Sequence, residues 1–218
     1  MNFKAFLKSN QIFFIPALLS VLAGIIFLAL YPKEIIHITQ NSWHNSFFDL
    51  LFTYFTHLGD GWIIPIGILV LIFIKWRYAI GLAISGVLTG VLTGFLKQVV
   101  FKGTPRPVKF FENFPEYQLY LIKGVHMNEW NSFPSGHTLT AFAFWGFLAF
   151  IAAKPSFKFL FAIIAIAVGY SRIYLSQHFL EDVVTGAILG ILVAFIAYFV
   201  AQLFKPHWAD KQVQRKYT

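Results

Sequence analysis

Cysteine is absent from this 218-residue chain. No disulfide, iron–sulfur cluster or thiol nucleophile can contribute, and nothing marks the redox compartment. Charge is scarce too: 12% of residues are Asp, Glu, Lys or Arg, with nine acids against 17 bases. Soluble domains ordinarily carry about twice that charged fraction, so an ordinary water-exposed globule is excluded. No Ser- or Pro-rich linker divides the chain, which argues for a single domain over residues 1–218. Also missing are a P-loop, an HExxH helix, a Gly-x-Ser-x-Gly elbow and an aspartate-rich metal site. Their absence gives no footing to nucleotide-binding, zinc-peptidase or serine-hydrolase readings.

What is present is apolar. Hydrophobic residues make up 58% of the chain and the mean hydropathy is +0.68, the composition of an integral membrane protein. Segments near the length that crosses a bilayer, roughly 17 to 25 residues, run near Gln11 to Tyr31, Gly61 to Ile74, Tyr78 to Leu96, Thr138 to Ala153, Phe159 to Leu175 and Val183 to Phe204. The fold expected is an all-α polytopic membrane bundle of about six transmembrane helices. The first segment reads as a retained helix, because no small-x-small cleavage pattern follows it before Tyr31, Pro32 and Lys33. Asn45 to Leu58 suits a helix lying in the interface of the first external loop. Gly86, Gly90 and Gly94, and later Gly186 and Gly190, repeat every four residues and should let helices pack closely.

Orientation follows from the loops. Lys4, Lys8, Lys75, Arg77, Lys154, Lys158 and the basic tail 205–218 fall on one side, which should be cytoplasmic. The net charge of +8 is thereby a matter of topology; there is no contiguous basic face for nucleic acid. Most of the remaining polar chemistry lies in three blocks on the opposite side, between residues 97 and 182: KQVVFKGTPRP, FPSGH and SRIYLSQHFLED.

In the third block, His178 and Asp182 stand four apart. If the last helix begins near His178, both share one face, and the carboxylate can fix one imidazole nitrogen and leave the other as a free lone pair. Such a histidine is an oriented nucleophile or base. Arg172, at the outer end of the fifth span, is expensive there without a purpose or partner. In the second block, Ser135 is a natural helix cap, and the amides of Gly136 and His137 open an anion site at a helix start; His137 is a candidate general acid. The first block supplies Lys97 at a span end and Arg106 between Pro105 and Pro107, which restrict its loop. Arginine offers phosphate a planar fork, lysine a point charge. His44, His57 and His126 have no ligand-like spacing and read as interface or loop residues.

With all three blocks on one side, the chain resembles the type 2 phosphatidic acid phosphatase superfamily, whose pattern is Lys…Arg-Pro, Pro-Ser-Gly-His and Ser-Arg-x5-His-x3-Asp. The second and third match in full; in the first, eight residues separate Lys97 from Arg106, a longer gap than the family pattern carries, which leaves Lys102 as a second candidate. The resemblance implies a metal- and cofactor-independent phosphatase facing outward, acting on a membrane lipid phosphate or diphosphate such as phosphatidic acid, phosphatidylglycerol phosphate, an isoprenyl diphosphate or lipid A. It implies His178 as nucleophile, Asp182 as its orienter, His137 as acid, and Lys97, Arg106, Ser135, Gly136 and Arg172 around the phosphate. Two other readings use the same residues: a lipid phosphotransferase, and a lipid-binding or transport protein without turnover. The aromatic loop Val108 to Asn131 is expected to cover the site.

Overall fold

A chain this apolar can satisfy its backbone amides in a bilayer only as helices or a closed barrel. In the computed structural model all named elements are helical. The structure describes residues 2–203; the basic tail expected at 205–218 lies outside them.

The elements in chain order are α1 (Phe3–Leu30), α2 (Lys33–Asn41), α3 (Ser46–Phe55) with a 3-10 turn (Thr56–Gly59), α4 (Ile63–Ile72), and α5 (Trp76–Phe95) with a π-helical turn (Leu96–Val100). After them come α6 (Pro107–Phe111), α7 (Gly136–Ile151), α8 (Pro155–Tyr174) and α9 (Leu180–Leu203). Among the described residues α1, α5 with its extension, α8 and α9 are each long and apolar enough to cross a membrane. Ser46–Gly59 and Ile63–Ile72 form an apolar pair bent by 58°. With the 16-residue α7, these make the helical membrane bundle that the sequence leads one to expect.

Boundaries shift for identifiable reasons. α1 starts at Phe3, well before Gln11, because its first turns are anchored: Phe6 and Phe13 are fully buried and meet Phe150 edge-to-face at 5.1 and 5.5 Å. α2 was not foreseen as a helix. Lys158, expected in a cytoplasmic loop, is buried in the first turn of α8 and donates to Asn10 Oδ1 of α1.

α7 is the centre: eleven of its 16 residues are buried, and it packs against α1, α5, α8 and α9. The contact with α9 is backbone-close. A Cβ at Gly186 would come within 2.7 Å of the Ser135 carbonyl, and one at Gly190 within 2.5 Å of the Leu139 carbonyl. The second glycine repeat therefore does what its spacing promises. The first does so only in part: Gly86 closes on Ile64, but a Cβ at Gly90 or Gly94 would meet nothing within 4 Å. These two glycines border open space, which corrects the expectation that the whole repeat packs against a helix.

Gly190→Val should lower the thermal midpoint in detergent by the equivalent of at least about 2 kcal/mol, since backbone cannot yield as a side chain can. Gly90→Ala should raise it slightly, by up to about 1 kcal/mol, through helix propensity alone; thermal unfolding of the two variants side by side checks both.

Candidate active site

The turn between α8 and α9, with the first turn of α9, carries the central pair. After Tyr174 the chain makes a tight turn in which the amides of Gln177 and His178 both bond the Arg172 carbonyl, at 3.0 and 3.2 Å, and Ser176 adopts φ +50°. α9 begins at Leu180, so His178 precedes the helix rather than sharing a helical face with Asp182. The two side chains still meet: Asp182 Oδ2 lies 3.1 Å from His178 Nδ1 and also accepts from the Phe179 amide at 3.0 Å. Ser132 donates to the same carboxylate oxygen and approaches His178 Nδ1 at 3.4 Å. With Nδ1 held as a donor to the carboxylate, the lone pair belongs to Nε2. Both residues are buried, at 1% exposure each.

The turn is braced from outside. Ser176 Oγ lies 3.1 Å from both His37 Nε2 and Asn41 Nδ2, on α2. Asn41 also clamps Tyr120 of the aromatic loop through its amide and carbonyl, at 2.7 and 2.9 Å. In the same loop, Phe110 and Phe111 pack against Phe179, while Trp130 remains half exposed.

The cations arrive from three directions, each steered by carbonyl or hydroxyl oxygens. Lys97, in the π-helical turn, donates to the Asn131 carbonyl at 2.9 Å and runs past Gly136, where a Cβ would stand 3.9 Å from Lys97 Cε. Lys102, the alternative, is exposed. Arg106, buried at the start of α6, donates through Nε to the Trp130 carbonyl (3.1 Å) and through Nη1 to the Gln177 carbonyl (3.1 Å) and Oε1 (3.2 Å). Burial pulls its pKa down and the Asp182 carboxylate pulls it back; a guanidinium stays charged through such shifts. Arg172 gives Nη1 to Thr56 Oγ1 at 2.6 Å, and its buried Nε finds no acceptor among the described residues. A charged donor left over in an apolar bundle is suited to an anionic ligand.

At the start of α7, Ser135 caps the helix through Oγ, which accepts from the Thr138 amide, while its own amide bonds the Asp182 carbonyl at 3.0 Å. That last bond ties the second block to the third. The Gly136 and His137 amides, first in the helix, have no acceptor in their own helix. His137 Nε2 pairs with Asp60 Oδ1, and Asp60 Oδ2 accepts from His57 Nδ1 at 2.7 Å and Trp62 Nε1 at 3.1 Å. Burial would raise the Asp60 pKa, but the bonds from His137 and His57 outweigh it and hold it below the usual carboxylate range. The eight candidate residues thus gather at one end of the bundle.

Sequence reasoning missed Asp60, Ser132 and the Asn131 carbonyl. Asp60 had a faint signal, a lone acid between two glycines before an apolar segment; Ser132 and Asn131 lie just before the FPSGH block and carried no motif of their own. His57, read as a loop histidine, supports Asp60.

His178 is held neutral. Burial, then the charges of Arg106, Lys97 and Arg172, push its pKa well below the ordinary imidazole value. The arrangement is a neutral, oriented imidazole beside three cations and a helix start, chemistry that fits a tetrahedral oxyanion such as phosphate.

The chain belongs to the PAP2 superfamily, whose profile matches residues 74–205. It is 30% identical over 188 residues to probable lipid phosphate phosphatase 4 of Arabidopsis thaliana, across 69% of this chain and 60% of that protein. The crystal structure of Aquifex aeolicus LpxE superposes with a TM-score of 0.65 at 29% identity, covering 74% of this chain and 92% of that one. A PAP2-type phosphatidylglycerolphosphate phosphatase from Bacillus subtilis shares the fold, with a TM-score of 0.64 at 24% identity, over 91% of this chain and 98% of that one. The chain spans 34 to 60% of the length of the first curated relatives it matches. Asp60 lies outside the matched region.

In the unfolded chain His178 takes up a proton near pH 6.5, whereas in the fold it resists protonation well below that. The unfolded state therefore binds more protons, and stability falls as pH drops below about 6.5. We expect the thermal midpoint in detergent to decline between about pH 7 and pH 5.5, and His178→Asn to remove part of that slope.

Proposed function

We propose that the protein is a lipid phosphatase that works through a phosphohistidine, with its site on the outer face of a bacterial inner membrane and its termini in the cytoplasm. The observation that carries the reading is the His178 imidazole, bound to Asp182 through Nδ1 and surrounded by Lys97, Arg106 and Arg172. A site built only to bind phosphate needs cations, not a buried imidazole whose second nitrogen is left as a lone pair. The asymmetry of basic residues along the sequence supports the orientation.

In this mechanism His178 Nε2 attacks phosphorus and the bond to the lipid oxygen breaks. Once the bound substrate's negative charge has drawn a second proton onto it, His137, with Nε2–H on Asp60, gives its Nδ1 proton to that departing oxygen. The Asp60 carboxylate stabilises the imidazolium and fixes which nitrogen faces the substrate. Water then attacks the phosphohistidine while His137 Nδ1 takes its proton, the N–P bond breaks, and neutral His178 is restored as inorganic phosphate departs. Lys97, Arg106, Arg172, Ser135 and the Gly136 amide hold the equatorial oxygens, where preorganised donors act most strongly in the transition state. No step calls on a metal or cofactor.

Purified protein should release phosphate from lipid phosphates with EDTA present, and a short pulse of labelled substrate should leave acid-labile, base-stable label on the protein. His178→Ala should abolish both; turnover that persists in this variant would sink the reading. Replacing Lys97 or Arg106 with Met should cost about 10²- to 10³-fold in kcat. Asp60→Asn should slow lipid phosphate hydrolysis by about 10- to 100-fold, yet slow p-nitrophenyl phosphate far less, because that leaving group needs little help from an acid.

A further inference from the structure

Just before the FPSGH block, residues 129–132 run antiparallel to residues 103–106. The Arg106 amide donates to the Glu129 carbonyl at 2.8 Å and the Ser132 amide to the Thr104 carbonyl at 3.1 Å, with Pro105 bridged to Trp130 between them. Three successive residues of this short segment then meet the candidate site. The Trp130 carbonyl accepts from Arg106 Nε, the Asn131 carbonyl accepts from Lys97 Nζ, and the Ser132 hydroxyl donates to Asp182. A carbonyl is common; its aim is not.

Successive residues of an extended chain face opposite ways, and neighbouring carbonyls diverge with them. Asn131 breaks that alternation, for its φ is +57°, in the left-handed region. Asparagine is one of the few side chains that enter this region readily. Here it also gains a tie, since Oδ1 accepts from the Gly103 amide at 3.0 Å, across the paired segments. Gly103 is left-handed as well, with φ +78°. Lys97 needs such a fixture. Its ammonium is a point charge on a flexible four-carbon stem, and it must stand near Arg106, from which eight residues separate it, against the repulsion of like charge. The bond of 2.9 Å to the Asn131 carbonyl supplies the hold.

We infer that Asn131 is a positioning residue: its left-handed backbone aims the carbonyl that keeps Lys97 beside the phosphate, and its side chain locks that turn to Gly103. This rests on the phosphatase reading and adds to it a residue that touches no substrate. None of the three polar blocks contains Asn131.

The test measures kcat in detergent micelles on whichever of dioleoyl phosphatidate and farnesyl diphosphate the wild type turns over faster. Asn131→Val and the gentler Asn131→Ala, which resist the left-handed region, should lower kcat about 10- to 100-fold, and by no more than Lys97→Met does. Asn131→Gly, which enters that region freely, should recover most of the loss. In a Lys97→Met background the Val and Ala changes should cost about threefold or less, because the group they misplace is gone. Thermal midpoints of all variants are read alongside, since a merely structural role would follow stability and ignore Lys97. Full activity in Asn131→Val, a loss in Asn131→Gly as deep as that in Asn131→Val, or losses that multiply in the double variants would overturn the inference and leave the phosphatase reading standing. Wild type that releases phosphate from neither substrate would remove both.

Discussion

Lys97, Arg106 and Arg172 repel one another at one end of an apolar bundle, and much of the architecture there answers that repulsion. Carbonyls of Asn131, Trp130 and Gln177 and the Thr56 hydroxyl fix the three side chains from different elements. Asp182 supplies one negative charge in their midst, and it is already committed to His178, Ser132 and the Phe179 amide. Asp60 offsets part of the Arg172 charge from the other side, and the dianionic substrate of the proposed function would offset the remainder. The same uncompensated field makes protonation of His178 unfavourable. One electrostatic condition would thus attract the proposed phosphate and keeps its proposed attacker neutral.

Holding that field in register depends on how α7 and α9 meet. Gly186 and Gly190 bring the α9 backbone against the first turns of α7, and the Ser135 amide then reaches the Asp182 carbonyl. The helix start that offers amides to an anion and the carboxylate that orients the imidazole are consequently parts of one rigid contact. Larger residues at either glycine would separate the helices and pull apart two halves of the site that no covalent neighbour joins.

Much of this was legible in the sequence because it rests on local rules. Span lengths, the cap at Ser135 and the fixed gap between His178 and Asp182 each express a period or a bond pattern within a few residues. The proximity of the eight candidate residues could be expected for the same reason, although a tight turn, not a shared helical face, brings His178 and Asp182 together. What was not legible comes from a distance. Asp60 reaches His137 from 77 positions away in the chain, and no pattern within either segment announces that they meet. Ser132 and Asn131 act through a hydroxyl and a carbonyl that any loop could offer. Gly90 and Gly94 looked identical to Gly86 in spacing and differ only because nothing packs beside them.

The shortness of α7 has a mechanical meaning. Sixteen residues of helix extend about 24 Å, less than the roughly 30 Å hydrocarbon core of a bilayer, and surrounding helices spare this one from having to span the lipid itself. Its first turn, with Gly136 and His137, can therefore lie below the level of the headgroups, at the edge of the hydrocarbon. Lifting a lipid out of its leaflet costs about 0.8 kcal/mol for every methylene exposed to water. In the proposed function a recessed helix start would avoid that work: the phosphate would dip to meet it while the tails stayed in the oil.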